Sequence, residues 1–130
     1  MAGRVVHFEV PYDDADRARA FYADVFGWTI EPMPAFDYDF VQTGPIDDES
    51  GMPVESGYIG GGMFQRHADV GRPVITIDVD DMTHALATIA EHGGAAVGEP
   101  QRVGDMGISA YFTDCEGNLM GLWQTLGQDQ

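Results

Sequence analysis

No lysine occurs among the 130 residues, and six arginines face 22 acidic side chains for a formal net charge of −16. That balance argues against nucleic acid as a partner, since phosphate binding draws its affinity from basic groups that release counterions. It argues equally against anionic membranes. An acidic, highly soluble surface is the broad reading, and a cationic ligand the narrower one. Cysteine is almost missing as well. Cys115 is the sole thiol, so no intrachain disulfide can form and a reducing cytoplasm is the expected compartment. A lone thiol in a turn reads as an incidental small residue before it reads as a nucleophile. No apolar run approaches the roughly 18 residues that span a bilayer, and residues 1–4 lead into a short strand pattern with no signal-peptide core. The run Gly60 to Gly62 lacks the Lys-Ser/Thr or spaced glycines of a phosphate loop. Neither a nucleophile elbow nor a Cys-x-x-Cys pair occurs.

What is present is a pattern repeated twice. Val5 to Val10 alternates, with His7 and Glu9 on the face opposite Val6, Phe8 and Val10, as a half-buried strand would. Pro11 is expected to stop it. Asp13 or Asp14 then offers an N-cap, and Ala18, Phe21, Tyr22, Val25 and Phe26 follow at helical spacing up to a left-handed cap at Gly27. Strands are expected at Trp28 to Met33, Tyr38 to Thr43 and Tyr58 to Phe64, with a loop over 44–57. The second half repeats the plan. Val74 to Val79 alternates, Asp80-Asp81 caps a helix with Met82, Ala85, Leu86, Ile89 and Ala90 as its apolar positions, and Gly93-Gly94 ends it. Strands near Ala95 to Gly98, Ile108 to Thr113 and Leu119 to Gln124 complete the half, with Asp114 to Asn118 as a hairpin turn. One helix followed by three strands, twice, predicts an α+β fold rather than a parallel α/β one. The expected organisation is a single domain over 1–130, with module one at about 4–64, a linker at about 65–72 and module two at about 73–125.

This layout and three local stretches resemble the vicinal-oxygen-chelate superfamily, the glyoxalase, bleomycin-resistance and dioxygenase group. The stretches are His7 to Tyr22 with Val25 to Trp28, Val74 to Asp81, and Ala110 to Asn118 with Leu122 and Gln124. In the last, Cys115 stands where the superfamily hairpin usually has proline. The resemblance implies two βαβββ modules forming a curved mixed-sheet cup. It also implies a divalent ion held by four inward side chains from strands one, four, five and eight. His7 matches the first position, whereas the strand-four region from Tyr58 to Met63 offers no ligand, and Val74 and Gly121 occupy the last two positions. Valine cannot coordinate, glycine has no side chain, and one neutral imidazole binds a dication weakly. No metal and no cofactor are therefore expected. The alternative is a relocated divalent site using His7 with Glu9 or Asp78, which period two places on one side of the sheet.

The candidate ligand-binding residues are His7, Glu9, Thr76, Asp78, Gly121, Trp123, Tyr58, Gly61 and Met63, with Phe40 and Tyr111 as further walls. A histidine beside carboxylates suits acid–base work, making His7 and Glu9 the catalytic candidates, but the same pairing also merely satisfies a polar lining. Strand glycines serve either close ligand approach or a bulge, and a lone tryptophan is more often apolar bulk than a stacking platform. His67, His84 and His92 read as surface groups. The expected function is a metal-free small-molecule-binding protein, a homodimer by resemblance, taking a planar or cationic ligand. The alternatives are a lyase, isomerase or dioxygenase of the same fold with relocated ligands, or a non-catalytic interaction subunit. If Trp123 belongs to the site, Trp123→Ala weakens ligand binding by about tenfold, the worth of a stacked aromatic contact. Titration of a bound compound checks this, and an unchanged affinity removes Trp123 from the site.

Overall fold

A computed structural model describes residues 3–126. Residues 1–2 and 127–130, the ends of the expected domain span, lie outside the described residues. Eight strands and two α-helices follow the βαβββ plan twice, in the α+β class that the repeat predicts. The chain divides into two compact units, one over His7–Pro73 and the other joining the residues up to Val6 to those from Val74 onward. The segment expected as a linker thus belongs to the first unit.

In the first unit, β1 (Val5–Tyr12), β2 (Thr29–Met33), β3 (Tyr38–Gln42) and β4 (Gly61–Gln65) pair in the order β2-β3-β4-β1. Strands β1 and β4 run parallel, with Glu9 opposite Gly62 and Pro11 opposite Phe64. Pro11 does not stop β1. A strand turns only alternate N–H groups toward any one neighbour, so proline near its end removes a donor that the β4 ladder does not use. Strand β3 runs antiparallel to β4, with Asp39 opposite Met63 and Phe40 opposite Gly62.

Register partners share a face and successive residues alternate. Phe8, Val10, Asp39, Val41, Gly61 and Met63 therefore lie on one face. His7, Glu9, Tyr38, Phe40, Gly62 and Phe64 lie on the other. The first of these faces carries α1 (Ala15–Phe26). Asp14 caps α1 by accepting from Arg17 N, and Gly27 ends it at φ 75° in the left-handed region that glycine tolerates. Its inward side is Ala15, Ala18, Arg19 and Tyr22, rotated from the expected stripe, and Phe21, Val25 and Phe26 stay exposed. The rotation has a polar cause. Arg19 Nε and Nη2 donate to the two carboxylate oxygens of Asp39 at 2.9 and 3.0 Å, and Asp39 is only 2% exposed. Tyr22 then stacks on Trp28 at 4.7 Å, and Trp28 leans on Phe8.

In the second unit, β5 (Val74–Asp78), β6 (Ala95–Val103), β7 (Gly107–Thr113) and β8 (Leu119–Thr125) pair in the order β5-β8-β7-β6. Gly3 N donates to Asp78 O and Asp78 N to Arg4 O, tying the chain's start to β5. Helix α2 (Met82–Glu91) lays Met82, Ala85, Leu86 and Ile89 on Ala110, Phe112 and Leu122, as its spacing predicts. Its first turn is capped twice, by Asp81 on His84 N and by Gln124 Oε1 on Met82 N. The β7–β8 hairpin is set by Asp114, whose Oδ1 accepts from the amides of Glu116 and Asn118 while Oδ2 accepts from the Asn118 side chain. These bonds hold the Asp114 carboxyl below its ordinary pKa. Strand β6 runs past the expected Gly98, with a register shift between Val97 and Gln101 that keeps it on β7.

Removing one partner of a buried bidentate pair strands the other charge without water. Arg19→Ala is expected to lower the unfolding free energy by about 3 kcal/mol, read from urea midpoints. A loss below about 0.5 kcal/mol would mean that Asp39 is solvated once Arg19 is gone.

Candidate functional site

The face of the first unit opposite α1 gathers the chemistry. Alternation in β1 turns His7 and Glu9 onto it, and β3 contributes Tyr38. The Tyr38 hydroxyl lies 2.7 Å from His7 Nε2 and donates to Glu9 Oε2 at 2.8 Å. With its own proton directed at Glu9, the phenol oxygen accepts from the Nε2–H of a neutral imidazole, which assigns the His7 tautomer. Burial lowers the His7 pKa from 6.5 to about 4, because the cation loses water without gaining a matched partner. Phe64 stacks on the Tyr38 ring at 5.8 Å and Phe40 meets it edge-on at 5.9 Å. A polar chain thus sits in an aromatic bed.

Gly62 makes this arrangement possible. A Cβ at position 62 would lie 1.9 Å from the Tyr38 hydroxyl oxygen and 2.0 Å from Cζ, so the phenol occupies the volume of an absent side chain. A similar close approach occurs inside the second unit. Thr76 is buried and pairs with Gly121 across β5 and β8. A Cβ at 121 would come within 2.8 Å of Thr76 Oγ1.

The expected site residues fall out as follows. His7 and Glu9 come together through Tyr38. Gly61 and Met63 lie on the opposite face, with Met63 0% exposed in the core and Gly61 closed by Phe8. Both leave the candidate site, and Gly62 takes the place of Gly61. Tyr58 precedes β4 rather than opening it, and its hydroxyl donates to the Pro45 carbonyl across Gly44. It is a loop brace. Thr76, Asp78, Gly121, Trp123 and Tyr111 share one face of the second unit by register. Trp123 lies over Gly107 and donates from Nε1 to Thr125 Oγ1 at 3.0 Å, so its indole is braced locally. His67, His84 and His92 are all exposed, as expected, and His67 also lays its ring against Phe64 at 5.7 Å. The sequence does not single out Tyr38, and it marks Gly62 only as part of the run Gly60 to Gly62. The signal available was the alternation of Tyr38 and Phe40 along β3, but only the pairing with β4 converts it into a contact.

Bleomycin resistance protein-like N-terminal is the family description whose model matches residues 4–44. Bovine mitochondrial methylmalonyl-CoA epimerase is 29% identical over 130 residues, covering 94% of this chain and 74% of that one. A glyoxylase-like domain-containing protein of Didymella fabae is 27% identical over 127 residues, with 91% of each chain covered. Among solved structures, a variant of Streptomyces coelicolor methylmalonyl-CoA epimerase in complex with 2-nitronate-propionyl-CoA superposes with a TM-score of 0.65. It is 17% identical, over 100% of this chain and 99% of that one. These likenesses support the resemblance to the vicinal-oxygen-chelate superfamily, and the superposition shows its fold.

The superfamily resemblance implies a divalent ion, and the residues present do not fit one. His7 and Glu9 are joined by a neutral hydroxyl, position 62 has no side chain, and Val74 and Gly121 offer no donor. Among the described residues no three His, Cys, Asp or Glu side chains gather as ligands.

The His7 pKa gives a sign to the acid response. Its folded value lies below the unfolded one, so it has no effect above about pH 6.5, where both states are neutral. As pH falls from 6.5 to 4 the unfolded chain takes up the proton first, and the fold loses about 3 kcal/mol in all. His7→Gln removes this component. Chemical denaturation at pH 7 and pH 4 is expected to show the wild type losing about 2–3 kcal/mol more than the variant. Equal losses would place the imidazole in water.

Proposed function

We propose that this chain is a small-molecule-binding protein of the glyoxalase/bleomycin-resistance type that works without a divalent ion. Its ligand rests on the face that carries Glu9, Tyr38 and His7. The observation that supports this most is the phenol hydroxyl hydrogen-bonded to both side chains with its ring lying over Gly62. A site built this way offers oriented polar atoms beside Phe40 and Phe64, and a binding pocket typically combines a few fixed polar groups with aromatic walls. A planar ligand suits the rings, and a cationic one suits both Glu9 and the net charge of −16. The protein acts as a homodimer in the cytoplasm on this reading.

The second reading is a lyase, isomerase or dioxygenase of the same fold, with His7 and Glu9 as acid–base groups. The similarity to methylmalonyl-CoA epimerases favours it. Charge opposes a CoA ester as its substrate, because a polyphosphate calls for arginine or lysine donors, and the chain carries six arginines against 22 acids.

Elemental analysis and solution mass of protein purified without chelators, followed by thermal shift with metal-free bleomycin, planar cations and methylmalonyl-CoA, separate the two. The expected outcome is a metal-poor dimer stabilised by the planar cations or bleomycin and not by the CoA ester. Stoichiometric nickel, zinc, manganese or iron, or turnover of methylmalonyl-CoA, would replace this proposal with the enzyme reading.

A further inference from the structure

We infer that Tyr38 is the specificity-determining residue that closes this face to a divalent cation, its hydroxyl standing where the donor atoms of His7 and Glu9 converge. The inference rests on the metal-free reading above and adds to the missing donors a side chain that occupies the point between the remaining two. The phenol oxygen is 2.7 Å from His7 Nε2 and 2.8 Å from Glu9 Oε2. Metal–nitrogen and metal–oxygen bonds to such groups run at about 2.0–2.2 Å. An ion near that point therefore needs each side chain to advance by only about 0.6 Å to reach bonding distance. The same two groups can serve either guest. A hydroxyl takes a proton from one and gives a proton to the other, whereas a dication takes a lone pair from each.

Three features favour the hydroxyl. It is attached to the chain, so no association entropy opposes it. Its ring is held between Phe64 and Phe40. Gly62 has no Cβ to displace it, since any Cβ there would sit 1.9 Å from its oxygen. The Tyr38 ring in this position therefore requires glycine at 62. The long-range field works the other way, for a net charge of −16 attracts cations to the surface. The exclusion is local.

The test is calorimetric titration of the full, untagged chain with Ni²⁺, for the wild type, Tyr38→Ala, Tyr38→Val and Tyr38→Phe, with His7→Ala added to each opened variant. Removing the ring is expected to create one site at least tenfold tighter than any wild-type binding, and His7→Ala is expected to abolish it. Tyr38→Phe keeps its ring over Gly62 and stays near the wild type. Failure of both Tyr38→Ala and Tyr38→Val to gain affinity, or a gain that survives loss of His7, overturns the role of Tyr38 while leaving the metal-free reading standing. Tight one-to-one Ni²⁺ binding by the wild type, abolished by His7→Ala, overturns both. A second arm needs no metal. Gly62→Ala is expected to lower the melting temperature in the wild type and to do so much less in the Tyr38→Ala background. Additive losses would show that the ring does not depend on the space at 62.

Discussion

The bidentate ion pair between Arg19 and Asp39 fixes how β3 is presented, and most of the first unit depends on that strand. Asp39 is buried beneath α1 and takes both its hydrogen bonds from one guanidinium. Its neighbour Tyr38 necessarily points to the other face. Two adjacent residues thus tie the helix on one side and join His7 to Glu9 on the other. A slip of one residue would bury the phenol under the helix and drive a carboxylate into the aromatic bed. A buried pair of this sort adds little net stability over apolar packing, yet it is costly to break. Its value here is to hold β3 in register against β4, which is what sets Phe40 opposite Gly62.

Electrostatics in the chain operate at two ranges that give opposite results. Over the whole surface, 22 acids and six arginines create a field that gathers cations. Within the site, the Tyr38 phenol offers Glu9 its proton. The imidazole is held neutral by burial, so it donates through one nitrogen rather than repelling or neutralising a guest as a cation. A dication bound there would leave water and needs several lone pairs in return. A net charge of −16 favours cations near the surface, while among the described residues no three His, Cys, Asp or Glu side chains gather as ligands.

Local patterns in the sequence revealed a good deal of this. Helix ends were legible because Asp14, Asp81 and Gly27 act within one turn of where they stand. The repeated βαβββ order was legible because alternation and helical spacing each need only a few residues. The shared facing of His7 and Glu9 followed from period two. Register across strands was not legible, and the site depends on it. Three consecutive glycines carry no facing signal, so the pattern starts β4 at Tyr58 instead of Gly61 and does not separate the face of Gly61 and Met63 from that of Gly62. The rotation of α1 was hidden for a related reason. Spacing marks Phe21, Val25 and Phe26 as an apolar line, but a long-range polar contact through Arg19 turns that line outward.

Gly62 and Gly121 are not open spaces beside their strands. Removing a carboxylate from the inner face of a sheet would leave a hole lined by backbone, and a hole costs stability in proportion to its volume. Neither position is left that way. Tyr38 reaches over Gly62 from the neighbouring strand β3, and Thr76 stands against Gly121 from the neighbouring strand β5. In each unit a hydroxyl from an adjacent strand fills volume that a longer side chain would need. A carboxylate introduced at 121 alone would therefore meet Thr76, and one introduced at 62 would meet Tyr38. Each glycine and the hydroxyl beside it form one packing unit, so a longer side chain at either position is costly to introduce one residue at a time.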